Sequence, residues 1–96
     1  MKVNVEILSG PLDGEAFHFS RSIDIGRDET CEIPIQVDRF ISRRHARILV
    51  VAGECFLEDL GSTNGTFVKD TRLKKRVELD NEEIFRVGKT WMQISW

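Results

Sequence analysis

One polar stretch organises this chain, and it reads Gly61-Ser62-Thr63-Asn64-Gly65-Thr66. Such a run cannot pack a hydrophobic core, because its side chains are absent, small or hydrogen-bonding. Glycine and asparagine tolerate positive φ, and serine, threonine and asparagine bond readily to nearby backbone, which predicts a tight and well-defined loop. Asn64-Gly65 followed by Thr66-Phe67-Val68 indicates a turn that leads into a strand. The loop is therefore either a solvated connection or part of a binding site.

Short apolar segments on both sides of this loop predict β-strands. Residues 2–7 alternate polar and apolar side chains without a slip, and residues 17–19 and 23–25 repeat that pattern. The more continuous apolar run at 46–51 predicts a central strand, whereas Pro34 indicates a sheet edge or a strand start. No window shows sustained helical periodicity. Many short strands at close spacing predict an all-β sandwich or barrel.

Composition bounds the class of protein. The 96 residues predict one domain spanning 1–96, and 41% hydrophobic with 31% charged residues is ordinary for a globular domain. A net charge of −2 argues against a general nucleic-acid binder. The chain contains no membrane-length apolar run and no signal-peptide core, so we expect a cytoplasmic protein in which Cys31 and Cys55 are reduced. It is either a whole protein or a module of a longer one.

Gly26-Arg27 forms a second polar cluster, at the end of the predicted strand 23–25. We expect the Arg27 guanidinium to project from the strand end into the loop layer. Its five fixed N–H donors suit a phosphate or a carboxylate. The alternative is a surface ion pair with Asp28 or Glu29.

The third polar cluster is Ser42-Arg43-Arg44-His45, where a loop enters the apolar strand 46–51. If the strand has begun there, Arg43 and Arg44 point to opposite sides, so at most one of them faces a site and the other faces solvent. We expect His45 to be structural, with ring nitrogens that tie one loop to another.

Catalytic and metal-binding alternatives have weaker support. Ser42, His45 and Asp59 are the residue types of a hydrolytic triad, but no nucleophile-elbow pattern surrounds Ser42. A metal site would have to use the cysteines and histidines, which are Cys31, Cys55, His18 and His45. Since no two of them have paired-ligand spacing, the sequence predicts no catalytic residue, no metal and no cofactor.

A basic run in the second half of the chain raises the question of oligonucleotide binding. Its members are Lys69, Arg72, Lys74, Lys75 and Arg76. Such charges also protect unpaired strand edges, and no aromatic stacking residues interleave with them. Oligonucleotide binding is therefore the least favoured alternative.

Taken together, the polar clusters resemble the motifs of the forkhead-associated (FHA) domain family. Three segments carry the resemblance: Ile25-Gly26-Arg27, Ser42-Arg43-Arg44-His45-Ala46, and Asp59-Leu60 with the polar stretch and Phe67-Val68. They occur in the family's order and at about its usual separations. The resemblance covers nearly the whole chain, from the first strand to the last.

The resemblance implies an eleven-stranded sandwich of two antiparallel sheets and a phosphothreonine-peptide site in loops at one end. By the family's pattern, Arg27 and Ser42 would hold the phosphate, Arg43 would contact the phosphate or the peptide, and Thr63 would lend a hydroxyl or backbone group. Asn64 would bind the peptide backbone. The residues that shape the site without touching the ligand would be Gly26, His45 and Gly65.

The implied partner is a protein phosphorylated on threonine by a Ser/Thr kinase, and neither nucleic acid nor membrane. The runner-up is a degenerate member of the family, used as a structural or oligomerisation domain without phosphate binding. Specificity beyond the phosphothreonine is expected from Asp38-Arg39-Phe40-Ile41 and from the Gly88-Lys89-Thr90 turn.

The chain departs from the family's pattern at two turns. Lys69-Asp70 stands where many members carry Asn-Gly, and Asn81-Glu82 stands where the family often has Gly-Asp. Since lysine and aspartate are less tolerant of positive φ than glycine, we expect the first hairpin to be looser or differently turned. Neither change falls on the predicted phosphate site.

Overall fold

Eleven strands and one three-residue 3₁₀ helix make up the protein, and the computed structural model describes residues 1–96. The strands are β1 (Val3–Ile7), β2 (Ala16–Phe19), β3 (Ile23–Gly26), β4 (Ile33–Pro34), β5 (Ala46–Val51), β6 (Glu54–Asp59), β7 (Thr66–Val68), β8 (Thr71–Arg72), β9 (Val77–Leu79), β10 (Ile84–Val87) and β11 (Thr90–Ser95). The 3₁₀ helix spans Gly10–Leu12, between β1 and β2. No helix is long and apolar enough to cross a bilayer.

The strands form two sheets, in the orders β2-β1-β11-β10-β7-β8 and β4-β3-β5-β6-β9. This confirms the predicted all-β sandwich of about eleven strands, with β5 at the centre of its sheet and Pro34 on an edge strand. One pair differs from the antiparallel expectation, because β4 runs parallel to β3. The connection between them contains a turn closed by the Cys31 N–H and the Asp28 carbonyl at 3.0 Å, and it returns the chain to the level of Ile25 before β4 begins.

The core lies between the two sheets and follows from the alternation of the strands. Val3, Val5 and Ile7 of β1 are buried, whereas Glu6 between them is exposed. Eighteen buried residues from both sheets form one cluster. Fully burying a side chain such as Phe85 contributes about 1.5–3 kcal/mol relative to leaving it in water. The core therefore provides the rigid support on which the loops are held.

Strand direction brings all the predicted polar clusters to one end of the sandwich. Ile25 of β3 is paired with Ala46 of β5, which in turn is paired with Asp59 of β6. In the other sheet, Val87 of β10 is paired with Thr66 of β7. The chain therefore leaves β3, β6 and β10, and enters β5, β7 and β11, at the same end. We call it the loop end.

The two departures from the family's turn pattern have defined backbone geometry. Lys69 and Asp70 connect β7 to β8 with φ of 52° and 61°, the sign that a two-residue type I′ turn requires. The expectation of a differently turned hairpin was therefore wrong, and the left-handed conformation is adopted by residues that disfavour it. Glu82 likewise has a φ of 69°, in a turn closed by the Glu83 N–H and the Asp80 carbonyl.

Candidate functional site

The imidazole of His45 joins two loops of the loop end. The Ser42 N–H donates to Nδ1 at 3.0 Å, and Nε2 lies 2.8 Å from the Gly65 carbonyl. Because Nδ1 accepts, the ring proton resides on Nε2 and is donated to Gly65. Burial lowers the pKa of His45, although the Gly65 carbonyl and the nearby Asp59 oppose that shift. The neutral ring thus links the loop before β5 to the loop before β7.

Backbone contact at Gly26 holds two of the clusters together. The Arg27 N–H donates to the Ser42 carbonyl at 3.0 Å, and the Asp28 N–H donates to the Arg43 carbonyl at 3.1 Å. A Cβ atom on Gly26 would lie 2.0 Å from the Arg43 oxygen, so no side chain fits there. The absent side chain of Gly26 therefore allows Arg27 and Ser42 to be neighbours.

Asp59 organises the loop at residues 61–66, a role that sequence reasoning missed. One carboxylate oxygen accepts from the Gly61 and Ser62 N–H groups at 3.0 and 2.9 Å. The other accepts from the Ser62 and Thr66 hydroxyls at 2.5 and 2.7 Å. The Gly65 N–H donates in turn to the Ser62 hydroxyl at 2.9 Å. An aspartate two residues before the glycine of a Gly/Ser-rich turn is a typical turn-forming signal, and it could have indicated this role.

The charge of Asp59 is maintained by these bonds. Burial acts to raise the pKa of Asp59, but the Ser62 and Thr66 hydroxyls and the Ser62 and Gly61 N–H groups outweigh it and hold the pKa below its ordinary value. A carboxylate can accept all four hydrogen bonds only when it is ionised. The ionised form is thus the one that orders the loop.

Arg72 supports the same loop from β8. One terminal guanidinium nitrogen lies 3.2 Å from the Thr63 carbonyl and 3.5 Å from the Ser62 carbonyl. Gly65 has a φ of 92°, and a Cβ atom on it would lie 2.8 Å from the Arg72 Nε. The positive φ therefore favours glycine at 65, and a Cβ atom there would also displace the Arg72 side chain from the loop.

The remaining residues of the basic run have separate surroundings. Lys69 lies 3.8 Å from a Glu83 carboxylate oxygen, and the Arg76 guanidinium lies 5.7 Å from the centre of the Phe56 ring. With Arg72 engaged by the loop carbonyls, the run does not form one continuous free cationic stripe. Lys74 and Lys75 are exposed between β8 and β9.

Arg27 presents its guanidinium at the loop end with only one nitrogen engaged. Its Nε donates to the Ile41 carbonyl at 3.1 Å, and its two terminal nitrogens make no hydrogen bond within the chain. The bond to Ile41 restricts the orientation of the planar group. Neither Asp28 nor Glu29 forms an ion pair with it, so the surface ion-pair alternative was wrong.

Arg43 and Arg44 differ in their surroundings, although β5 begins only at Ala46 and strand alternation therefore does not apply to them. Arg44 is exposed, as expected for one member of the pair, and is also bonded to Asp24 at 2.8 Å and to the Thr30 hydroxyl at 3.1 Å. Arg43 is exposed and forms no ion pair. Arg43 is thus the arginine of this pair whose charge is available to a ligand.

Ser42 and Thr63 meet directly. The Thr63 N–H donates to the Ser42 hydroxyl oxygen at 3.2 Å. Because that oxygen accepts, the Ser42 hydroxyl proton stays free to be donated elsewhere. The Thr63 hydroxyl is exposed and makes no hydrogen bond within the chain.

Asn64 and Asp38 connect the polar loop to the segments expected to set specificity. The Asn64 side-chain N–H donates to the Phe40 carbonyl at 2.9 Å. The buried Asp38 carboxylate accepts from the Phe40 N–H at 2.8 Å, the Lys89 N–H at 2.9 Å and the Thr90 hydroxyl at 2.7 Å. Sequence reasoning placed Asp38 in the specificity segment but did not foresee that it anchors the β10–β11 turn.

The three residue types of a hydrolytic triad are not arranged as one. His45 bonds the Ser42 backbone N–H rather than its hydroxyl, and its other nitrogen is directed at a carbonyl. Asp59 is bonded to its own loop and not to His45. What the loop end offers is an array of donors, from Arg27, Arg43 and the Ser42 hydroxyl, held on interlocked loops. Such an array suits an anionic group with several acceptor oxygens.

Comparison with known proteins is consistent with this geometry. The family model for the FHA domain matches residues 23–88. The FHA domain-containing protein FhaB of Mycobacterium tuberculosis is 32% identical over 89 residues, which cover 92% of this chain and 57% of FhaB. The FhaB protein of Mycolicibacterium smegmatis is 34% identical over 70 residues, covering 73% of this chain and 44% of that protein. The chain thus spans about half the length of these curated relatives.

Solved structures include similar domains over their whole length. One, from a structural and functional study of phosphothreonine-dependent FHA domain interactions, has a TM-score of 0.88 and 26% identity, covering 100% of this chain and 97% of that chain. Another is the FhaA FHA domain complexed with the intracellular domain of Rv3910, with a TM-score of 0.84 and 27% identity, covering 96% of this chain and 98% of that chain.

Proposed function

We propose, because the chain belongs to the forkhead-associated (FHA) family, that its loop end binds a phosphothreonine-containing segment of a partner protein. One observation carries the proposal: Arg27 is oriented through its Nε by Ile41, while both terminal nitrogens stay free beside Ser42. A phosphate carries a charge of about −1.5 to −2 at neutral pH and three strong acceptor oxygens, which such a guanidinium fork fits.

The phosphate ligands follow from the free donors. Arg27 donates from its terminal nitrogens, Ser42 from its hydroxyl, and Arg43 adds a second free positive charge. Thr63, whose N–H is bonded to Ser42, contributes its exposed hydroxyl. These residues come from the three loops after β3, before β5 and before β7, so the phosphate joins them only when all three are correctly placed.

The peptide backbone is assigned to Asn64. Its side-chain oxygen and second amide proton make no hydrogen bond within the chain, whereas one amide proton is held by Phe40. Such a side chain can both accept from and donate to an extended peptide. Gly26, His45 and Gly65 shape the site through the backbone contact, the loop link and the positive φ described above.

We assign no catalytic step to this domain. His45 and Asp59 are occupied by structural hydrogen bonds, and neither contacts the Ser42 hydroxyl. Phosphothreonine recognition needs no proton transfer. The relatives point to the same class of activity. One similar structure concerns phosphothreonine-dependent FHA interactions, and another FHA domain is complexed with a domain of a partner protein. Signalling or assembly through a kinase-modified partner is therefore the proposed role.

The test is a calorimetric titration with a phosphothreonine peptide and its unphosphorylated twin. Wild type should bind only the phosphorylated peptide. Each charge-assisted hydrogen bond contributes about 1.5–3 kcal/mol, so Arg27→Ala should weaken binding about ten- to a hundred-fold or more. Arg21→Ala is the matched control, because its side chain is 74% exposed in a surface ion pair with Glu32. Equal loss in both variants, or none in Arg27→Ala, would contradict the assignment.

A further inference from the structure

The outward side of the six-stranded sheet carries exposed apolar and aromatic surface. Strand alternation directs five side chains of β1, β10 and β11 away from the core: Glu6, Ile84, Arg86, Trp91 and Gln93. We call the surface that they form the outer face. Ile84 is 45% exposed and Trp91 is 40% exposed. Since tryptophan and arginine are enriched where proteins bind one another, the outer face has the composition of a protein–protein contact.

Arg86 lies between two aromatic rings of this sheet. Strand pairing places it beside Phe67 of β7 and Trp91 of β11. Its guanidinium carbon lies 4.1 Å from the centre of the Phe67 ring and 5.6 Å from the centre of the Trp91 ring. One terminal nitrogen donates to the Gly88 carbonyl at 2.6 Å, and the other two nitrogens make no hydrogen bond within the chain. The guanidinium is thus fixed in position, and its charge has no carboxylate partner.

Glu6 places an unpaired negative charge on the same face. It is exposed and forms no ion pair. Glu6 lies opposite Gln93, whereas Arg86 lies opposite Trp91, two residues nearer the loop end. Because β11 separates β1 from β10, ordinary strand spacing puts the Cα atoms of Glu6 and Arg86 roughly 12 Å apart. Neither charge is therefore neutralised within one copy of the chain.

The arrangement of these groups is self-complementary under a two-fold rotation. In such a contact, residue i of one copy meets residue j of the other, and j meets i. An axis in the contact plane that bisects the line from Arg86 to Glu6 at a right angle brings each of them against the opposite charge of the second copy. This axis crosses β11 between Trp91 and Gln93. At ordinary strand spacing, Trp91 and Ile84 both lie within roughly 2 Å of it in projection, so each packs near its own copy.

We infer that the outer face binds a second copy of this chain, in a symmetric dimer with two Arg86–Glu6 ion pairs around a centre of Trp91 and Ile84. Charge complementarity identifies the occupant, because the outer face carries both members of the ion pair. The two apolar side chains of each copy lose water on contact, which is favourable. Since this surface is smaller than that of a permanent dimer, we expect a dissociation constant of about 10–500 μM.

The inference goes beyond the proposed function and does not rest on it. The outer face lies on the flank of the sandwich, and none of its five residues belongs to the proposed phosphate site. The dimer therefore leaves both loop ends uncovered. Two proposed phosphate sites in one particle would increase the apparent affinity for a partner that carries two phosphothreonines.

The experiment is sedimentation equilibrium of the full chain at concentrations from about 5 μM to about 1 mM. Wild type should show a reversible monomer–dimer equilibrium. Arg86→Glu and Glu6→Arg each convert both ion pairs into like-charge contacts, so each should weaken the dimer at least about ten-fold. Arg21→Glu is the matched control, because it makes the same charge change at a 74% exposed side chain in the β2–β3 connection, and it should keep the wild-type constant.

A mixture of the two charge-reversal variants tests the pairing itself. In a dimer of one Arg86→Glu chain and one Glu6→Arg chain, each glutamate again faces an arginine. The equimolar mixture should therefore dimerise within about three-fold of wild type, although neither variant does so alone. Glu6 is exposed, so Glu6→Arg keeps the test valid even if Arg86→Glu loses its ring contacts and fails to fold.

The outcomes decide between the possible occupants. A wild-type chain that stays monomeric at about 1 mM would overturn the inference and leave the outer face to a different protein. A dimer that survives Glu6→Arg, or two folded variants whose mixture does not dimerise, would assign self-association to another surface and would also overturn it. Failure of phosphopeptides to bind would contradict the proposed function alone.

Discussion

Replacing His45 with alanine should lower the stability of the domain itself, because His45 supports the loops of the proposed site and is not one of its proposed ligand contacts. The side chain is 0% exposed and satisfies two backbone groups, the Ser42 N–H and the Gly65 carbonyl. A buried group that loses its partner costs about 1–3 kcal/mol. With two such groups and a cavity left behind, we expect a loss of about 2–5 kcal/mol in the free energy of unfolding. That is a large share of the roughly 5–15 kcal/mol typical of a domain.

The same histidine makes stability depend on pH with a defined sign. Burial lowers the pKa of His45 in the folded state, whereas a histidine in the unfolded chain has a pKa of about 6.5. As the pH falls through that value, the unfolded chain takes up the proton first. The contribution of His45 is therefore complete above about pH 7.5. It decreases as the pH falls, until the folded pKa is passed.

Urea denaturation at several pH values between about 5.5 and 8 measures this effect. Wild type should lose stability on acidification, by at most about 1.4 kcal/mol per pH unit for one proton. His45→Gln, which cannot titrate, should flatten the dependence. His18→Gln is the matched control, because it makes the same substitution at an exposed position of β2, away from the two linked loops.

Two results would refute this reasoning. A His45→Gln variant with the wild-type pH slope would assign the proton to another group. A His45→Ala variant with an unchanged urea midpoint but no phosphopeptide binding would make His45 a direct ligand contact instead of a scaffold residue.

The loop at 61–66 carries two further predictions and the β7–β8 turn a third. Asp59→Asn should lower the melting temperature by several degrees and weaken phosphopeptide binding, because an amide cannot accept all four hydrogen bonds; an unchanged thermal melt would contradict this. Asn64→Ala should weaken phosphothreonine binding and narrow the preference over phosphoserine, because Asn64 would hold the peptide backbone and so orient the threonine methyl group into a small pocket, where its burial contributes about 0.8 kcal/mol. Matched peptides measure this, and equal affinity of wild type for both would refute the pocket. The double variant Lys69→Asn with Asp70→Gly should raise the free energy of unfolding by about 1 kcal/mol, and with it the urea midpoint, since both positions have positive φ. A lower midpoint would show that the native residues make a compensating contact.

Local sequence features were enough to predict an all-β fold, a sandwich or a barrel, and the family resemblance indicated the sandwich. Period-two alternation and turn residues act over a few positions, so the strands around residues 3–7, 23–26 and 46–51 were predictable. Once the strand ends were placed, the family resemblance put Gly26-Arg27, the Ser42 cluster and the 61–66 loop at one end. The parallel direction of β4 relative to β3 was not predictable, because the alternation of side chains is the same in parallel and antiparallel strands.

The partners of individual side chains depended on the tertiary structure. Arg44 is exposed but is also bonded to Asp24, 20 residues away, a contact that its position in the sequence did not indicate. The pairing of β3 with β5 places Asp24 opposite Arg47, and Asp24 binds both arginines. Asp38 is bonded to Thr90, 52 residues away in the chain. Neither spacing carries a sequence signal, since a hydrogen bond requires only that two groups meet in space.

The sequence by itself thus determined which residue types stand at the loop end, since strand alternation and turn chemistry are local properties. Only the tertiary structure decided which of these groups are free to bind a ligand. Asp59 is engaged by its own loop and Arg72 by the loop carbonyls, whereas the terminal nitrogens of Arg27 are unpartnered. The physical reason is that the availability of a polar group depends on which neighbours the fold brings within hydrogen-bonding distance.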